Sequence, residues 1–213
     1  MFEERVPADY SEMDLFKAKR FDKKVKGNFM PAIVSTVKQI TEDYGLDGVC
    51  VDVGCGTAVF TIELCRHSRL KIYALEKENA ICEVARMNIE KERFTDKIIP
   101  VLGDAHELPF ENEFANFIIS RGSYHCWGDK VRVFKEIYRV LKKGGIGFVG
   151  GGFGRYVTEE ESNRMKSLRD HSLKEGAKAY SSPDKLREVI HKAGIPNFRI
   201  IYDKAGLWVE IKK

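Results

Sequence analysis

Two glycines separated by one residue stand where an apolar run passes into a helical pattern. The run covers residues 49–53, Gly54 and Gly56 flank Cys55, and Thr57 opens the helical stretch. Such a turn presents bare backbone and a helix N-terminus to a ligand, although it could also simply pack the helix onto the strand. A dinucleotide fingerprint would have a third small residue at position 59, where this chain has Val59.

Two acidic residues follow the next two apolar runs. Glu76 stands twenty residues after Gly56, and Asp104 follows the run at 98–102. A carboxylate at Glu76 can accept two hydrogen bonds from a ribose diol, which fits NAD and S-adenosylmethionine equally. Asp104 could accept a hydrogen bond from an adenine amino group, which favours S-adenosylmethionine, or it could be a turn residue that caps the next segment.

The elements that must position these residues alternate between strand and helix patterns. Strands are predicted at 49–53, 71–75, 98–102, 114–120, 146–150, 198–202 and 207–211, with helices at 57–67, 79–92 and 129–142. This alternation predicts an α/β, Rossmann-like, doubly wound seven-stranded sheet, mostly parallel, with helices on both faces. Only 203–206 separate the last two strands, which predicts an antiparallel hairpin.

The chain length of 213 residues favours one domain. We predict an N-terminal helical cover over 1–44, a cofactor-binding core over 45–155, a helical flank over 156–195 and the hairpin over 196–213. Apolar residues recur every fourth position from Phe21 to Val37, so one amphipathic helix could continue through Pro31. In the flank we predict a charged helix at roughly 159–178 and a second helix between Ser182 and Gly194.

Together these residues resemble the class I S-adenosylmethionine-dependent methyltransferases, in particular the small-molecule branch similar to the ubiquinone and menaquinone methylases. The resemblance is strong over residues 45–155. It is carried by the motif at 51–57, by Glu76, by 103–105 with 108–110 as the adenine loop, and by 134–145 as the helix entering the fifth strand. Ala58 departs from the family pattern, which usually has a third glycine there.

The resemblance implies a sheet whose last strand is antiparallel, S-adenosyl-L-methionine as cofactor and S-adenosyl-L-homocysteine as product. It implies methyl transfer to a small-molecule acceptor by in-line displacement, which asks the protein mainly to align the reactants and exclude water. The residues that would bind the cofactor are Gly54, Gly56 and Thr57 at the methionine portion, Asp52 acting on its ammonium group through the turn, Glu76 at the ribose, and Asp104 and Ala105 at the adenine, together with Cys55, Lys77 and Arg121.

The loop after the fourth predicted strand is the expected meeting point of acceptor and cofactor. His125 could act as a general base, or be a solvated or structurally bonded loop histidine. Tyr124 and Trp127 could wall the site and contact the sulfonium through their rings, or pack in the core. Arg121 could bind an acidic acceptor or pair with a nearby acid, and Cys126 is expected to be buried. The candidate catalytic residues are therefore His125, Arg121 and Tyr124.

Composition excludes several other classes. The formal net charge of +4 and the absence of adjacent prolines argue against nucleic acid as the acceptor, and the short apolar runs argue against a membrane span. Five cysteines fit neither a zinc pattern nor a disulfide scaffold, so we expect reduced thiols, no metal and a cytoplasmic location. An NAD-dependent oxidoreductase and a non-catalytic S-adenosylmethionine-binding or assembly module remain as alternatives, and the acceptor and oligomeric state stay open.

Overall fold

The computed structural model describes residues 14–170 and 182–213, which contain a seven-stranded sheet in the order β3-β2-β1-β4-β5-β7-β6. The strands are β1 (Asp47–Val53), β2 (Arg69–Glu76), β3 (Ile98–Leu102), β4 (Ala115–Arg121), β5 (Leu141–Gly151), β6 (Phe198–Asp203) and β7 (Gly206–Lys212). The helices are α1 (Leu15–Asn28), α2 (Met30–Asp43), α3 (Val59–Arg66), α4 (Asn79–Lys91), α5 (Lys130–Val140), α6 (Glu159–Asp170) and α7 (Pro183–Lys192). The predicted fold class is confirmed.

The sheet is parallel from β3 across to β5, and β7 runs antiparallel to both β5 and β6. The predicted hairpin and antiparallel last strand are therefore confirmed. Because β1 to β5 are parallel, their carboxyl ends meet at one edge of the sheet, where α/β proteins bind ligands. The glycine turn and Asp104 follow strands at this edge, and Glu76 is the last residue of β2.

Two apolar cores cover the two faces of the sheet. One core joins α2, α3 and α4 to the side chains of Cys50 and Ile72, and the other joins α5 and α7 to Val51 and Val53. Neighbouring residues of β1 thus point to opposite faces, as the alternation of a strand buried on both sides requires. Of the described helices, none has the length and the apolar character that crossing a membrane would take.

The prediction of one continuous N-terminal helix is wrong. Helix α1 ends at Asn28 and α2 begins at Met30, with Phe29 between them at φ −118° and ψ 6°. Pro31 lies in the first turn of α2, where its missing N–H costs nothing, whereas within a longer helix its ring would clash with a carbonyl of the preceding turn. Residues 1–13 of the predicted cover lie outside the described residues.

The predicted helical flank is described only in part. Helix α6 is described as far as Asp170, and the rest of the helix expected at 159–178 lies outside the described residues. Helix α7 begins as predicted, with Pro183 in its first turn and the Ser182 hydroxyl accepting a hydrogen bond from the Lys185 N–H at 3.2 Å. Gly194 follows its end at φ +74°.

Candidate active site

The glycine turn after β1 is held by the backbone of β2 and by the loop after β4. The N–H groups of Gly54 and Cys55 both donate to the Leu75 carbonyl at 2.9 Å. Gly54 has φ +75°, and a Cβ there would lie 2.5 Å from the Cβ of Ser123, whose hydroxyl donates to the Val53 carbonyl at 2.9 Å. Glycine is therefore required at position 54 both by its conformation and by the close approach of the β4 loop.

Helix α3 begins at Val59, two residues later than predicted. Ala58 is its N-cap residue and has a left-handed conformation with φ 60° and ψ 18°, which is the conformation that a glycine would adopt without strain. The Thr57 hydroxyl is buried and has no hydrogen-bond partner among the described residues. The turn thus carries both a strained alanine and an unused polar group next to a helix N-terminus.

Replacing Ala58 by glycine is expected to change the free energy of unfolding by less than about 1 kcal/mol. Relief of the left-handed strain gains about 1 kcal/mol, and loss of the buried methyl group costs about the same. The control is Ala85→Gly in the middle of α4, which relieves no strain and should cost about 1 to 2 kcal/mol. Urea denaturation of both variants measures the difference, and equal losses would contradict the strain at Ala58.

The N-terminal helix α1 lies against the glycine turn. A Cβ at Gly56 would stand 3.6 Å from a ring carbon of Phe21. The side-chain amide of Asn88 in α4 donates to the Thr57 carbonyl at 2.8 Å and to the Asp22 carboxylate at 2.9 Å. Helix α1 is therefore joined to the turn through α4, and its role as a cover of the site stays a prediction.

Glu76 ends β2 beside the turn and binds backbone N–H groups with both carboxylate oxygens. Oε2 accepts from Gly56 N at 2.9 Å, and Oε1 accepts from Lys77 N at 2.8 Å and Glu78 N at 3.1 Å. Desolvation raises the pKa of Glu76, and the three backbone hydrogen bonds oppose this rise. Each carboxylate oxygen can accept more than one hydrogen bond, so Glu76 can hold the turn and still bind a ligand hydroxyl.

Asp104 follows β3 and is joined to the end of β2 by Lys77, whose ammonium lies 3.0 Å from Oδ2. Its Oδ1 accepts from the His106 N–H at 2.9 Å and contacts His106 Nδ1 at 2.6 Å. Desolvation raises the pKa of Asp104, but the hydrogen bonds from His106 and Lys77 outweigh it and lower the pKa to about 2. Asp104 is therefore ionised at neutral pH.

His106 was not among the predicted site residues. Its Nε2 accepts a hydrogen bond from the Asp129 N–H at 3.3 Å, so the imidazole bridges the loop after β3 and the start of α5. The sequence signal was the position of His106 two residues after Asp104, since aspartate side chains commonly bond the backbone two residues on. Ala105, between them, is buried.

Asp52 lies in β1 just before the turn and is almost fully buried, with 1% of its surface exposed. Its Oδ2 accepts a hydrogen bond from the Thr61 hydroxyl at 2.5 Å. Desolvation raises the pKa of Asp52 to about 7, helped by the charge of Glu76, whereas Thr61 and the charge of Arg121 lower it. So little of the Asp52 carboxyl is exposed that it has almost no direct access to a ligand, and its action on the cofactor through the turn stays a prediction.

In the loop after β4, two of the predicted site residues are buried and two are exposed. Tyr124 and Trp127 are 6% and 5% exposed and pack edge to face with ring centroids 5.7 Å apart, which favours the packing role. Burial raises the pKa of Tyr124 to about 12. His125 and Cys126 are exposed, so the expectation that Cys126 is buried is wrong, while Cys50, Cys55, Cys65 and Cys82 are buried free thiols. In the short 3₁₀ turn Tyr124–Cys126 the chain turns its aromatic side chain inward and leaves its neighbours outside.

The glycines at the end of β5 and just after it make close contacts within the chain. A Cβ at Gly150 would lie 2.2 Å from the Leu207 carbonyl oxygen, and one at Gly152 would lie 1.8 Å from that of Ala205. A Cβ at Gly154 would meet the Ser35 hydroxyl at 2.4 Å. These glycines therefore let the C-terminal hairpin and α2 pack closely against the backbone at the end of β5. This packing explains the glycines without a bound substrate.

A groove of about 510 Å³, lined in part by Tyr124, lies between α5 and α7. Its lining includes Asp129, Lys130, Lys185 and Val189 but none of the glycine turn, Glu76 or Asp104. The groove therefore adjoins the β4 loop and does not contain the predicted cofactor site.

Comparisons with known proteins bear on the core and on the whole fold. Residues 51–149 match the family described as the methyltransferase domain. A crystal structure of a putative S-adenosyl-L-methionine-dependent methyltransferase from Methanococcus maripaludis superposes with a TM-score of 0.82 at 29% sequence identity, covering 100% of this chain and 97% of that one.

Two curated relatives are named for quinone compounds. The chain is 36% identical over 95 residues to the chloroplastic 2-methyl-6-phytyl-1,4-hydroquinone methyltransferase of Spinacia oleracea, which covers 45% of this chain and 27% of that protein. It is 27% identical over 183 residues to the demethylmenaquinone methyltransferase of Anoxybacillus flavithermus, covering 78% of this chain and 76% of that protein. The chain spans only about a quarter to a third of the length of four plant relatives that it matches. Residues 51–149 therefore form a methyltransferase domain. The fold and these relatives agree with the resemblance to the S-adenosylmethionine-dependent methyltransferases, whose cofactor is S-adenosyl-L-methionine, and not with an NAD-dependent oxidoreductase.

Proposed function

We propose that this protein transfers a methyl group from S-adenosyl-L-methionine to a small-molecule acceptor. The observation that carries the proposal is the ion pair between Lys77 and Asp104, which joins the ends of β2 and β3 beside the glycine turn. Glu76, bonded to Gly56 N, lies next to Lys77 in the chain. Two carboxylates and a bare-backbone turn thus share one edge of the sheet, as an adenosyl ligand requires.

The residues at this edge fit the cofactor chemically. Asp104, ionised at neutral pH, can accept a hydrogen bond from the adenine amino group, and Glu76 can accept from the ribose hydroxyls. The Thr57 hydroxyl, buried without a partner among the described residues, is a spare polar group at the predicted methionine portion. When bound, S-adenosyl-L-methionine supplies a methyl group already activated by the positive charge on sulfur. These individual roles are proposals.

The chain's own contribution to the reaction would be alignment, exclusion of water and proton removal. Helix α1 packs against the glycine turn through Phe21 and shields that side of the turn from solvent. In the loop after β4, His125 is exposed beside the buried Tyr124, where its imidazole can take a proton from an acceptor. The relatives named for a hydroquinone and for a demethylmenaquinone favour a quinone-like acceptor.

Calorimetry and a transfer assay test the proposal. We expect S-adenosylhomocysteine to bind and NADH not to bind, because the site lacks a third small residue at Val59 and has an adenine acceptor at Asp104. Labelled S-adenosylmethionine incubated with fractionated metabolite extracts should pass label to a small molecule. Binding without transfer to any fraction would favour a non-catalytic module, and tighter binding of NADH would contradict the proposal.

Replacing Glu76 by alanine is expected to weaken S-adenosylhomocysteine binding by about 1 to 3 kcal/mol, the range for hydrogen bonds to a charged group. The loss has two sources, because the carboxylate both faces the predicted ribose and holds the Gly56 N–H. The control is Glu83→Ala in α4, an exposed acid paired only weakly with Arg86 at 3.6 Å. Calorimetry of both variants measures the change, and unchanged affinity in Glu76→Ala would remove Glu76 from the site.

A further inference from the structure

The outward side of α1 carries a positive charge that the described residues do not neutralise. Helix α1 contains six basic residues and one acid, Asp22. The Asp22 carboxylate is turned inward, because it accepts a hydrogen bond from the Asn88 amide at 2.9 Å and pairs with Lys26 at 2.7 Å. Among the described residues, no acid pairs with the exposed bases that we call the basic face, namely Lys19, Arg20, Lys23 and Lys24.

Arg121 is a base of a different kind. It is the last residue of β4, it is partly buried, and its Nη2 donates to the Gly152 carbonyl at 3.2 Å. Burial lowers the pKa of Arg121 to about 10, and the charge of Asp52 opposes this change. Arg121 is therefore enclosed among the predicted site residues, whereas the basic face of α1 points to solvent.

Two apolar side chains lie at the N-terminal end of the basic face. Leu15 is 43% exposed and Phe16 is 70% exposed. Phe16 precedes Lys19 by three residues and Arg20 by four, so the three side chains share one side of the helix. The guanidinium carbon of Arg20 lies 5.9 Å from the centroid of the Phe16 ring. A helix with bases and exposed Phe and Leu side chains is typical of helices that lie in a lipid–water interface.

The opposite side of α1 fixes the basic face in its outward position. Ala18 is fully buried in a small apolar cluster with Ile81 and Val84 of α4, and Val25 packs against the larger core beneath α2, α3 and α4. Turning the basic face inward would expose these apolar contacts to water. The charged surface is therefore already formed in the folded protein.

The apolar end of α1 lies near the edge of the sheet that carries the candidate site. Ala18 contacts Ile81 near the start of α4, and Asp22 contacts Asn88 further along it, so the two helices run in the same direction. Helix α4 begins soon after Glu76, at the carboxyl end of β2. Phe16 is therefore on the side of the molecule where that edge opens.

An anionic lipid surface matches both parts of this surface of α1. Lipid phosphates attract the basic face, and the adjoining hydrocarbon takes up apolar side chains. A nucleic acid would match the charge, but proteins bind single strands in grooves with aromatic side chains stacked on the bases, whereas α1 presents one convex helix face and Leu15 cannot stack. An acidic peptide would match the charge alone.

We infer that the protein docks on anionic lipid membranes through α1, with the basic face on the lipid phosphates and with Leu15 and Phe16 inserted between the head groups. The inference goes beyond the proposed function and does not rest on it, because docking needs neither cofactor nor acceptor. Its failure would leave the proposed methyl transfer untouched.

Cosedimentation of the full chain with lipid vesicles tests the inference. One set of vesicles contains equal parts of phosphatidylcholine and phosphatidylglycerol, and the other contains phosphatidylcholine alone. We expect at least about tenfold tighter binding to the anionic vesicles, because each base near such a surface contributes about a fivefold gain in affinity. Raising the NaCl concentration from about 0.1 M to about 0.5 M should weaken that binding at least about tenfold, since salt screens the attraction.

A four-base variant assigns the binding to the basic face. It replaces Lys19, Arg20, Lys23 and Lys24 by glutamine, which is also a good helix former, and should bind anionic vesicles at least about fiftyfold more weakly. The matched control removes the same charge from exposed residues on the α5 and α7 side of the sheet and should stay within about threefold of wild-type protein. Its substitutions to glutamine are at Lys135, Lys143, Arg187 and Lys192.

Phe16→Trp reports whether the apolar end of α1 enters the lipid. Trp127 and Trp208 are buried, so their emission should not respond to vesicles. The emission of a tryptophan at position 16 should shift to shorter wavelength with anionic vesicles and stay unchanged with phosphatidylcholine alone. This measurement and the wild-type comparison decide the question even if the four-base variant does not fold.

The inference fails if wild-type protein does not bind the anionic vesicles or binds both kinds equally. It also fails if the four-base variant binds as wild-type protein does, or if the Phe16→Trp emission stays unchanged on vesicles that the protein binds, since another surface would then make the contact. Binding of polyglutamate or of a uridine oligonucleotide through the basic face, without binding of vesicles, would assign that face to an acidic protein or to nucleic acid instead.

Discussion

Asp52→Asn is expected to remove a large pH dependence from the stability of the protein. Burial raises the pKa of Asp52 from its ordinary value of 3.8 to about 7, so the folded protein holds a proton that the unfolded chain has lost. The stability that this group contributes is therefore fully present below about pH 4 and is lost as the pH rises through about 7. The loss across that range is on the order of 4 kcal/mol.

Urea denaturation at closely spaced pH values from 4 to about 8 measures this effect as the difference between the wild-type and Asp52→Asn curves. Taking the difference removes the contributions of groups that the substitution leaves in place, such as Asp104. The charged neighbours Glu76 and Arg121 act on Asp52 in opposite directions, so they shift the midpoint without reversing the slope.

The matched control for Asp52 is Asp47→Asn, at the exposed start of the same strand. Its curve should run parallel to that of wild-type protein. Parallel curves for Asp52→Asn and wild-type protein would instead mean that Asp52 stays ionised in the folded protein, supported by Arg121 more strongly than the geometry indicates.

The sheet could be predicted from the sequence because each strand is a short apolar run between turn residues. The run at 98–102 coincides with β3, and the four residues between the last two runs left no room for a crossover helix. The predictions of where strands and helices begin and end are weaker, because each boundary depends on a single residue. Strand β5 begins at Leu141 and not at Ile146, because α5 already ends at Val140 and Leu141 pairs with Ala115.

The candidate site could be predicted as a set of strand ends but not as a set of contacts. Glu76 and Asp104 follow directly from the parallel topology, because all carboxyl ends share one edge. The sequence pattern does not predict the ion pair of Lys77 with Asp104 or the hydrogen bond between Asp129 and His106. Both contacts depend on the directions of side chains, which the spacing of apolar residues does not determine. The glycines at 150–154 are a further example, since only their contacts show that they let the chain's own hairpin and α2 approach closely.

The loop after β4 is where the structure most narrows the alternatives left by the sequence. Because Tyr124 and Trp127 are buried and pack against each other, we interpret them as core residues that support the loop. His125 stands between Tyr124 and the exposed Cys126 and is itself exposed. Among the three predicted catalytic residues, His125 is therefore the one whose position best suits proton transfer with an acceptor from solution.

His125→Ala is accordingly expected to lower turnover by about 10² to 10⁴-fold, the usual contribution of a positioned general base. Affinity for S-adenosylhomocysteine should stay within about twofold of wild-type, because the predicted cofactor contacts come from the glycine turn, Glu76 and Asp104. The measurement pairs transfer of label to the acceptor found in the extract assay with calorimetry. His67→Ala, which removes an exposed histidine paired with Glu63 at the other end of α3, should match wild-type protein in both. Equal losses of turnover and cofactor affinity in His125→Ala would show a structural histidine, and unchanged turnover would mean that the acceptor loses no proton to His125.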